Sequence, residues 1–190
     1  MKAPLPPDEA ERLRALQEYE ILDTPAEKAF DDLTRLATYI CRTPMAAISL
    51  IDSERQWFKS RVNISESETS RDIAFCAHAI LEKGMFIVTD ARDDARFKEN
   101  PSVTSDANIR FYAGSPLTTS EGYKLGTLCV IDHVPRQLSD GQLAALRALS
   151  RQVTTQLELR REIKELRSRL KDLEQTTGEN TREFKISINP

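Results

Sequence analysis

Residues 45–62, MAAISLIDSERQWFKSRV, decide the fold. Met45 to Ile51 is a largely apolar run of strand length, which predicts a strand buried on both faces. Asp52-Ser53-Glu54-Arg55 is a turn. Gln56 to Val62 then returns as a second strand carrying Trp57 and Phe58. Two strands joined this tightly are antiparallel.

The same pattern recurs further along. Ile109 to Leu117 is a strand, Ser120-Glu121-Gly122-Tyr123 a turn, and Lys124 to Asp132 the return strand. Gly126 interrupts it and predicts a bulge or a close backbone approach. Met85 to Thr89 adds a strand that closes at Asp90. Ser65 to Arg71 is read as a polar loop. Ala91 to Asp106 is a longer loop with a helical turn around Phe97, and loops of that length in compact domains are functional or mobile.

Helices flank these strands. The first is short, capped by Asp8, with Leu13 and Leu16 on one face. Thr24-Pro25-Ala26-Glu27 reads as a capping box with Pro25 at the first helical position. Phe30, Leu33, Ala37 and Ile40 follow at helical spacing until Thr43-Pro44. Asp72 to Leu81 is read as a short helix ended by Gly84. A second capping box, Ser139-Asp140-Gly141-Gln142, opens a helix expected to reach about Gln175 and to stop at Gly178. The expected class is α+β: a central antiparallel sheet of five or six strands, covered on one face by the N- and C-terminal helices.

Composition narrows the function. The 190 residues are 39% hydrophobic and 30% charged, enough for one compact domain and an appendage. With 27 basic and 30 acidic residues the net charge is -3, so no global field draws the chain to nucleic acid or anionic lipid. Pro4, Pro6 and Pro7 stand where a signal peptide needs an apolar run, and no stretch has membrane-spanning length. Cys41, Cys76 and Cys129 are odd in number and without paired spacing, which argues for a reducing compartment and a cytoplasmic protein. The expected organisation is a lead-in over 1–23, a domain over 24–155, a coiled-coil helix over 156–176 and a frayed tail over 177–190.

Several stretches together resemble a known family: ILDTP (21–25), FDDLTRLA (30–37), ISLID (48–52), RQWFKSRV (55–62), FCAHAIL (75–81), RFYAGSPL (110–117) and LGTLCVID (125–132). The chain resembles bacterial GAF domains found at the N-terminus of sensor histidine kinases and diguanylate cyclases. That resemblance implies a sensory fold that binds a small ligand or cofactor and passes a conformational change to a neighbour, such as a kinase or cyclase output domain. It does not imply which ligand, because one fold hosts many sites.

Cys76-Ala77-His78 is the sharpest chemical lead. On a helix, residues two apart point about 200° away from each other, so neither a metal pair nor a nucleophile–base contact follows. Cys76, Cys129 and Cys41 are therefore expected to be buried thiols, and His78 a packed histidine. Bilin-binding relatives commonly place histidine directly after the attachment cysteine. Here Ala77 intervenes, so covalent bilin is not expected. The cysteine-glycine loop of GAF-type methionine sulfoxide reductases, the cyclic-nucleotide motif and glycine-rich phosphate loops are likewise not found. No catalytic or metal site is expected. For a ligand the candidates are His78 and Cys76, Arg110 and Tyr112 on one strand, Asp90 at a strand end, and Arg71 with Asp72 where helix N–H groups can meet an anion.

The last helix carries a heptad seam. Leu159, Ile163, Leu166, Leu170 and Leu173 alternate steps of four and three, with Glu162–Arg167 and Arg169–Glu174 as flanking attractive pairs in a parallel homodimer. Leu143, Leu146, Leu149, Val153 and Leu157 are off that register and are expected to pack on the domain. The sequence thus predicts a dimeric, non-enzymatic regulatory module, either part of a larger signalling protein or a separate partner subunit. A thiol-dependent reductase and a ligand-free dimerisation module remain as alternatives.

Overall fold

A computed structural model describes residues 2–187, with side chains described as far as Lys171. Helices α1 (Glu9–Glu18) and α2 (Lys28–Cys41) precede strands β1 (Met45–Ile51), β2 (Arg55–Val62) and β3 (Glu68–Ser70). A 3-10 turn at Arg71–Ile73 leads to α3 (Phe75–Ala79), β4 (Phe86–Val88) and α4 (Pro101–Thr104). Strands β5 (Phe111–Thr118) and β6 (Lys124–Asp132) precede the long helix α5 (Asp140–Ser187). The six strands form one sheet in the order β3-β2-β1-β6-β5-β4, every neighbour antiparallel. The two hairpins read from the sequence are its halves, joined by β1 against β6. The α+β class is as expected.

Both faces of the sheet are covered, which is why all of β1 is apolar or small and buried. Ala46, Ile48 and Leu50 point toward α1, α2 and α5, into a core that includes Leu16, Phe30, Trp57, Leu146, Val153 and Leu157. Met45, Ala47 and Ile51 point the other way, toward Phe75, Phe97, Tyr112 and Cys129. On α5, Leu143 and Leu149 pack at the margin of the helix-side core, so the off-register residues do dock on the domain.

Two local irregularities set the geometry. Along β1–β2, Ile48 pairs with Ser60 and Ser49 with Phe58, leaving Lys59 as an extra residue. That bulge turns Lys59 and Ser60 to the helix side, where Ser60 bonds Asp31. Lys59 Nζ reaches Thr24 Oγ1, the Pro25 carbonyl and Glu27 Oε1 at 2.9, 2.6 and 2.7 Å. At Gly126, a Cβ would stand 1.9 Å from the Ser49 carbonyl oxygen and 2.8 Å from Leu50 Cα. The expected close approach is there, and it is of backbone to backbone.

Other local expectations are corrected. Thr24 and Glu27 do not form a capping box. Glu27 is itself the residue before the helix, without a capping bond, because its carboxylate is taken by Lys59 and Arg160. The 139–142 box does form, Ser139 N to Gln142 Oε1 at 3.0 Å and Gln142 N to Ser139 Oγ at 3.3 Å. The helix expected over 72–81 is broken at Ala74, which is extended (φ -77°, ψ 123°). Part of the polar loop 65–71 pairs as the edge strand β3. The register shift at Leu117/Thr118 turns Leu125 to the helix-side core, away from Cys129 and Ile131. Helix α5 continues through Gly178 to Ser187, since one glycine in a helix costs only about 1 kcal/mol.

Replacing Gly126 by alanine forces strands β1 and β6 apart at the centre of the sheet. Gly126→Ala should lower the unfolding free energy by about 3 kcal/mol, in the range of overpacked cores, read as a reduced urea midpoint at unchanged slope.

Candidate functional site

The sheet face opposite the long helices is roofed only by short pieces: residues 63–70, the 71–81 segment with α3, and the 91–109 loop with α4. Asn100 fastens two of these together. Its side chain caps α4 by accepting from Ser102 N at 2.9 Å and donates to the Ile73 carbonyl at 3.0 Å. Phe97, fully buried, stacks on Phe75 with ring centroids 3.9 Å apart. Pieces this short cannot fill the layer, and a cavity of about 640 Å³ remains beneath them. Its floor is Gln56 and Phe58 of β2, Tyr112 of β5, and Cys129 and Ile131 of β6, with Cys76 on the roof side. Exposed Glu66, Asp106 and His133 stand at the margin, so it communicates with solvent.

Two polar features face it. Gln56 is 7% exposed, its Nε2 donates to Thr69 Oγ1 at 3.2 Å, and its Oε1 has no hydrogen-bond partner among the described residues. The second is a buried chain. Ser49 and Thr127 hydroxyls, paired across β1–β6, lie 3.1 Å apart. Tyr112 Oη lies 3.3 Å from Thr127 Oγ1 and donates to Cys76 Sγ at 3.2 Å. Cys76 Sγ and Cys129 Sγ approach to 3.9 Å, and the Cys129 thiol points to the Ala47 carbonyl at 3.6 Å. Gly114 leaves the Tyr112 ring room on the sheet, since a Cβ there would stand 2.2 Å from its hydroxyl.

Burial opposes ionisation of Cys76, yet Cys129, Ser49, Thr127 and Tyr112 together outweigh it and bring its pKa below that of an ordinary thiol. Cys129 moves the other way, raised by its contact with Cys76 and by burial. Tyr112 is raised well above an ordinary phenol by burial and by the adjacent thiols. On the other side of the sheet, burial alone pushes Cys41 up to about 11.

Of the seven sequence candidates, Cys76 and Tyr112 meet at the cavity. His78 is buried beside it in the aromatic cluster, edge-on to Phe97 at 4.8 Å. Arg110 ties down the loop through the Val103 and Ile109 carbonyls and Asn108. Asp90 pairs with Arg92 at 2.6 Å, and exposed Asp72 with Lys2 at 2.9 Å. The Asp72 N–H offered to an anion is taken by Ser70 Oγ. Arg71 is buried away from the cavity, holding Glu9 Oε1 at 2.5 Å and the Asp52 carbonyl at 2.9 Å. Sequence reasoning missed Gln56 and the pairing of Cys76 with Cys129. The alternation of Gln56 with Phe58 on one face of β2 was a usable signal. The cysteine pairing, 53 residues apart in sequence, had none.

Residues 25–157 match the GAF domain family. The chain belongs to the GAF family. This supports a sensory or regulatory module of signal transduction. A cyclic di-GMP phosphodiesterase of Pseudomonas aeruginosa is 42% identical over 155 residues, 81% of this chain but 26% of that protein's length. The chain thus spans about a quarter of that relative. Among solved structures, the GAF domain of an Acinetobacter phosphoenolpyruvate-protein phosphotransferase superposes with TM-score 0.58 at 14% identity, covering 82% of this chain and 96% of the other. Free methionine-R-sulfoxide reductase from Neisseria meningitidis, solved with its substrate, gives 0.58 at 14% identity, covering 86% and 98%. These two share the fold.

The Arg71 assignment yields an acid-stability prediction. Burial raises the Glu9 pKa, but Arg12 and Arg71, both bonded to it, outweigh burial and hold it at about 2. A carboxylate depressed in the folded state contributes stability above its unfolded pKa and loses it as the pH falls through about 2. Glu9→Gln should therefore cost about 3 kcal/mol at neutral pH, as for a broken buried pair, with the gap from wild type closing between about pH 4.5 and pH 2 in urea melts.

Proposed function

We propose that this GAF domain binds a small, uncharged, largely apolar molecule carrying an N–H or O–H donor, and that α5 passes the resulting change to a second copy and to an output domain. Gln56 Oε1 carries this reading. An acceptor buried without a partner costs roughly 1–3 kcal/mol, which a ligand donor would recover. Aromatic and aliphatic side chains dominate the walls, and among the described residues the lining has neither lysine nor arginine, so the site does not favour an anion. It acts in this reading by binding and not by turnover.

Strand β2 offers a route to the helix. Gln56 and Phe58 face the cavity, while Lys59 between them and α5 holds Glu27, which Arg160 Nε also contacts at 3.1 Å. Past that anchor α5 keeps surface contacts, Arg161 over the Tyr19 ring and Lys164 paired with Glu20. Leu159, Ile163, Leu166 and Leu170 are 44, 48, 63 and 58% exposed, so within one chain the seam has no cover. Leu173 and Glu174 lie outside the described side chains, and Arg169 stands 3.9 Å from Glu165. No described helix is long and apolar enough to cross a membrane.

A thiol-dependent reductase is the second reading, favoured by two thiols 3.9 Å apart at the cavity and by the fold shared with the Neisseria enzyme. Turnover of free methionine sulfoxide with a thioredoxin recycling system would establish it; the expected result is none above background.

The binding reading is tested by native mass spectrometry of the purified protein, followed by a thermal-shift screen of neutral and anionic compounds. Neutral donors should stabilise it, and Gln56→Leu should weaken the best of them about tenfold, the worth of one hydrogen bond. Stabilisation confined to anions would overturn it. For the helix, Leu166→Asp should yield a folded monomer. Losing about 2 kcal/mol of burial from each of two copies weakens the dimer roughly a thousandfold. Sedimentation with a circular-dichroism melt reads both, and a Leu166→Asp protein that stays dimeric would move the interface to the GAF domain.

A further inference from the structure

The two buried thiols have a chemistry that the ligand-binding reading leaves unused. Cys76 sits on α3, a five-residue helix entered from the extended residue Ala74, and Cys129 on the central strand β6. They belong to different layers, line the same cavity and lie 3.9 Å apart. Around Cys76 are donors: Tyr112 bonds it at 3.2 Å, with Thr127 and Ser49 behind. Beside Cys129 is the Ala47 carbonyl, which only accepts, so the proton stays on Cys129. The arrangement makes Cys76 the nucleophile and Cys129 the waiting thiol. Cys41 has neither neighbour nor cavity, being in the core on the opposite face.

We propose that Cys76 and Cys129 form a peroxide-reactive dithiol site, oxidised to an internal disulfide by a small uncharged hydroperoxide that enters the cavity. The proposal uses the same cavity as the binding reading but does not need a regulatory ligand there. In the first step Cys76 sulfur attacks the terminal oxygen of the hydroperoxide. The S–O bond forms and the O–O bond breaks. The proton originally on Cys76 passes to the departing alkoxide, giving an alcohol and a sulfenic acid on Cys76, with Tyr112 Oη beside the sulfur. In the second step Cys129 sulfur attacks the sulfenic sulfur. The S–S bond forms, the S–O bond breaks, and the leaving hydroxide takes the Cys129 proton as water. Two thiols are oxidised and one hydroperoxide is reduced, without another reagent.

Geometry favours closure and assigns its consequence. A disulfide requires the sulfurs to approach to about 2 Å, so the pair must draw in by roughly that much. Cys129 is fixed by ladders on both sides, to Ala47 and to Gly114. The movement therefore falls on α3 and the roof of the cavity, drawing Cys76 toward the sheet. Apolar walls without lysine or arginine admit an uncharged oxidant more readily than an anionic one.

The test treats the reduced full chain with hydrogen peroxide or tert-butyl hydroperoxide and follows intact mass and peptide maps. Wild type should lose two hydrogen masses per hydroperoxide consumed, in a single Cys76–Cys129 linkage with Cys41 unmodified. Cys129→Ser should gain one oxygen at Cys76, trapped as the dimedone adduct, and Cys76→Ser should form no linkage. Tyr112→Phe, which removes one hydrogen bond to a developing thiolate, should slow the first step about tenfold. Circular dichroism confirms that each variant is folded. A folded wild type in which Cys41 reacts as fast as Cys76, or in which no linkage forms while Cys129→Ser gives no adduct, overturns the proposal. Either result leaves the Gln56 binding test untouched, so the two readings fail separately.

Discussion

The pairing of β1 with β6 is the constraint on which the rest depends. It joins the two hairpins into one sheet, and both strands are buried along nearly their whole length. Strands so enclosed must satisfy every backbone group within the sheet, which fixes their register. That register sets Ser49 against Thr127 and Ala47 against Cys129. The hydroxyl pair and the thiol of the cavity floor are thus consequences of the same ladder that holds the domain together. The lack of a side chain at Gly126 belongs to the same constraint, because the Ser49 carbonyl occupies the space a Cβ would need.

From this centre the two faces differ. The helix side is closed by three helices packed on a continuous apolar core, so it is a structural layer. The opposite side is closed by a five-residue helix, a four-residue helix and connecting turns. Such pieces are short, although every residue of α3 is buried. The cavity therefore lies beneath the layer built from the shortest elements. The bulge at Lys59 links the faces, since it sends an ammonium into the helix layer from a strand whose neighbouring residues line the cavity. Fully buried, that ammonium requires its acceptors, which fixes Glu27 and brings Arg160 of α5 to the same carboxylate. Strand β2 and the C-terminal helix thus share one carboxylate.

The thiols show how environment and not residue type decides chemistry. All three cysteines are buried. Cys41, among aliphatic neighbours, is held protonated by desolvation. Cys76 is as deeply buried, but Cys129 together with the hydroxyls of Ser49, Thr127 and Tyr112 reverses the direction of its shift. The difference lies in who the neighbours are, and those neighbours come from β1, β5 and β6.

The sequence by itself determined the sheet's hairpins, the long helices and the helix-side core. These follow from local period: strand and helix spacing, turn residues and one working cap at Ser139. It also carried Gly126, because a glycine inside a strand has a narrow set of causes. Tertiary structure alone decided the rest. Whether Thr24 caps a helix depended on a lysine 35 residues away. Whether Arg71 met an anion depended on Glu9, and whether two cysteines were strangers or partners depended on a crossing of strand and helix. Gln56 looked like any polar residue in a hairpin until the packing around it left Oε1 without a donor among the described residues. Local propensity is written within a few residues of itself. Charge partners, cavities and thiol pairs arise from distant segments packed together, and no spacing along the chain encodes them.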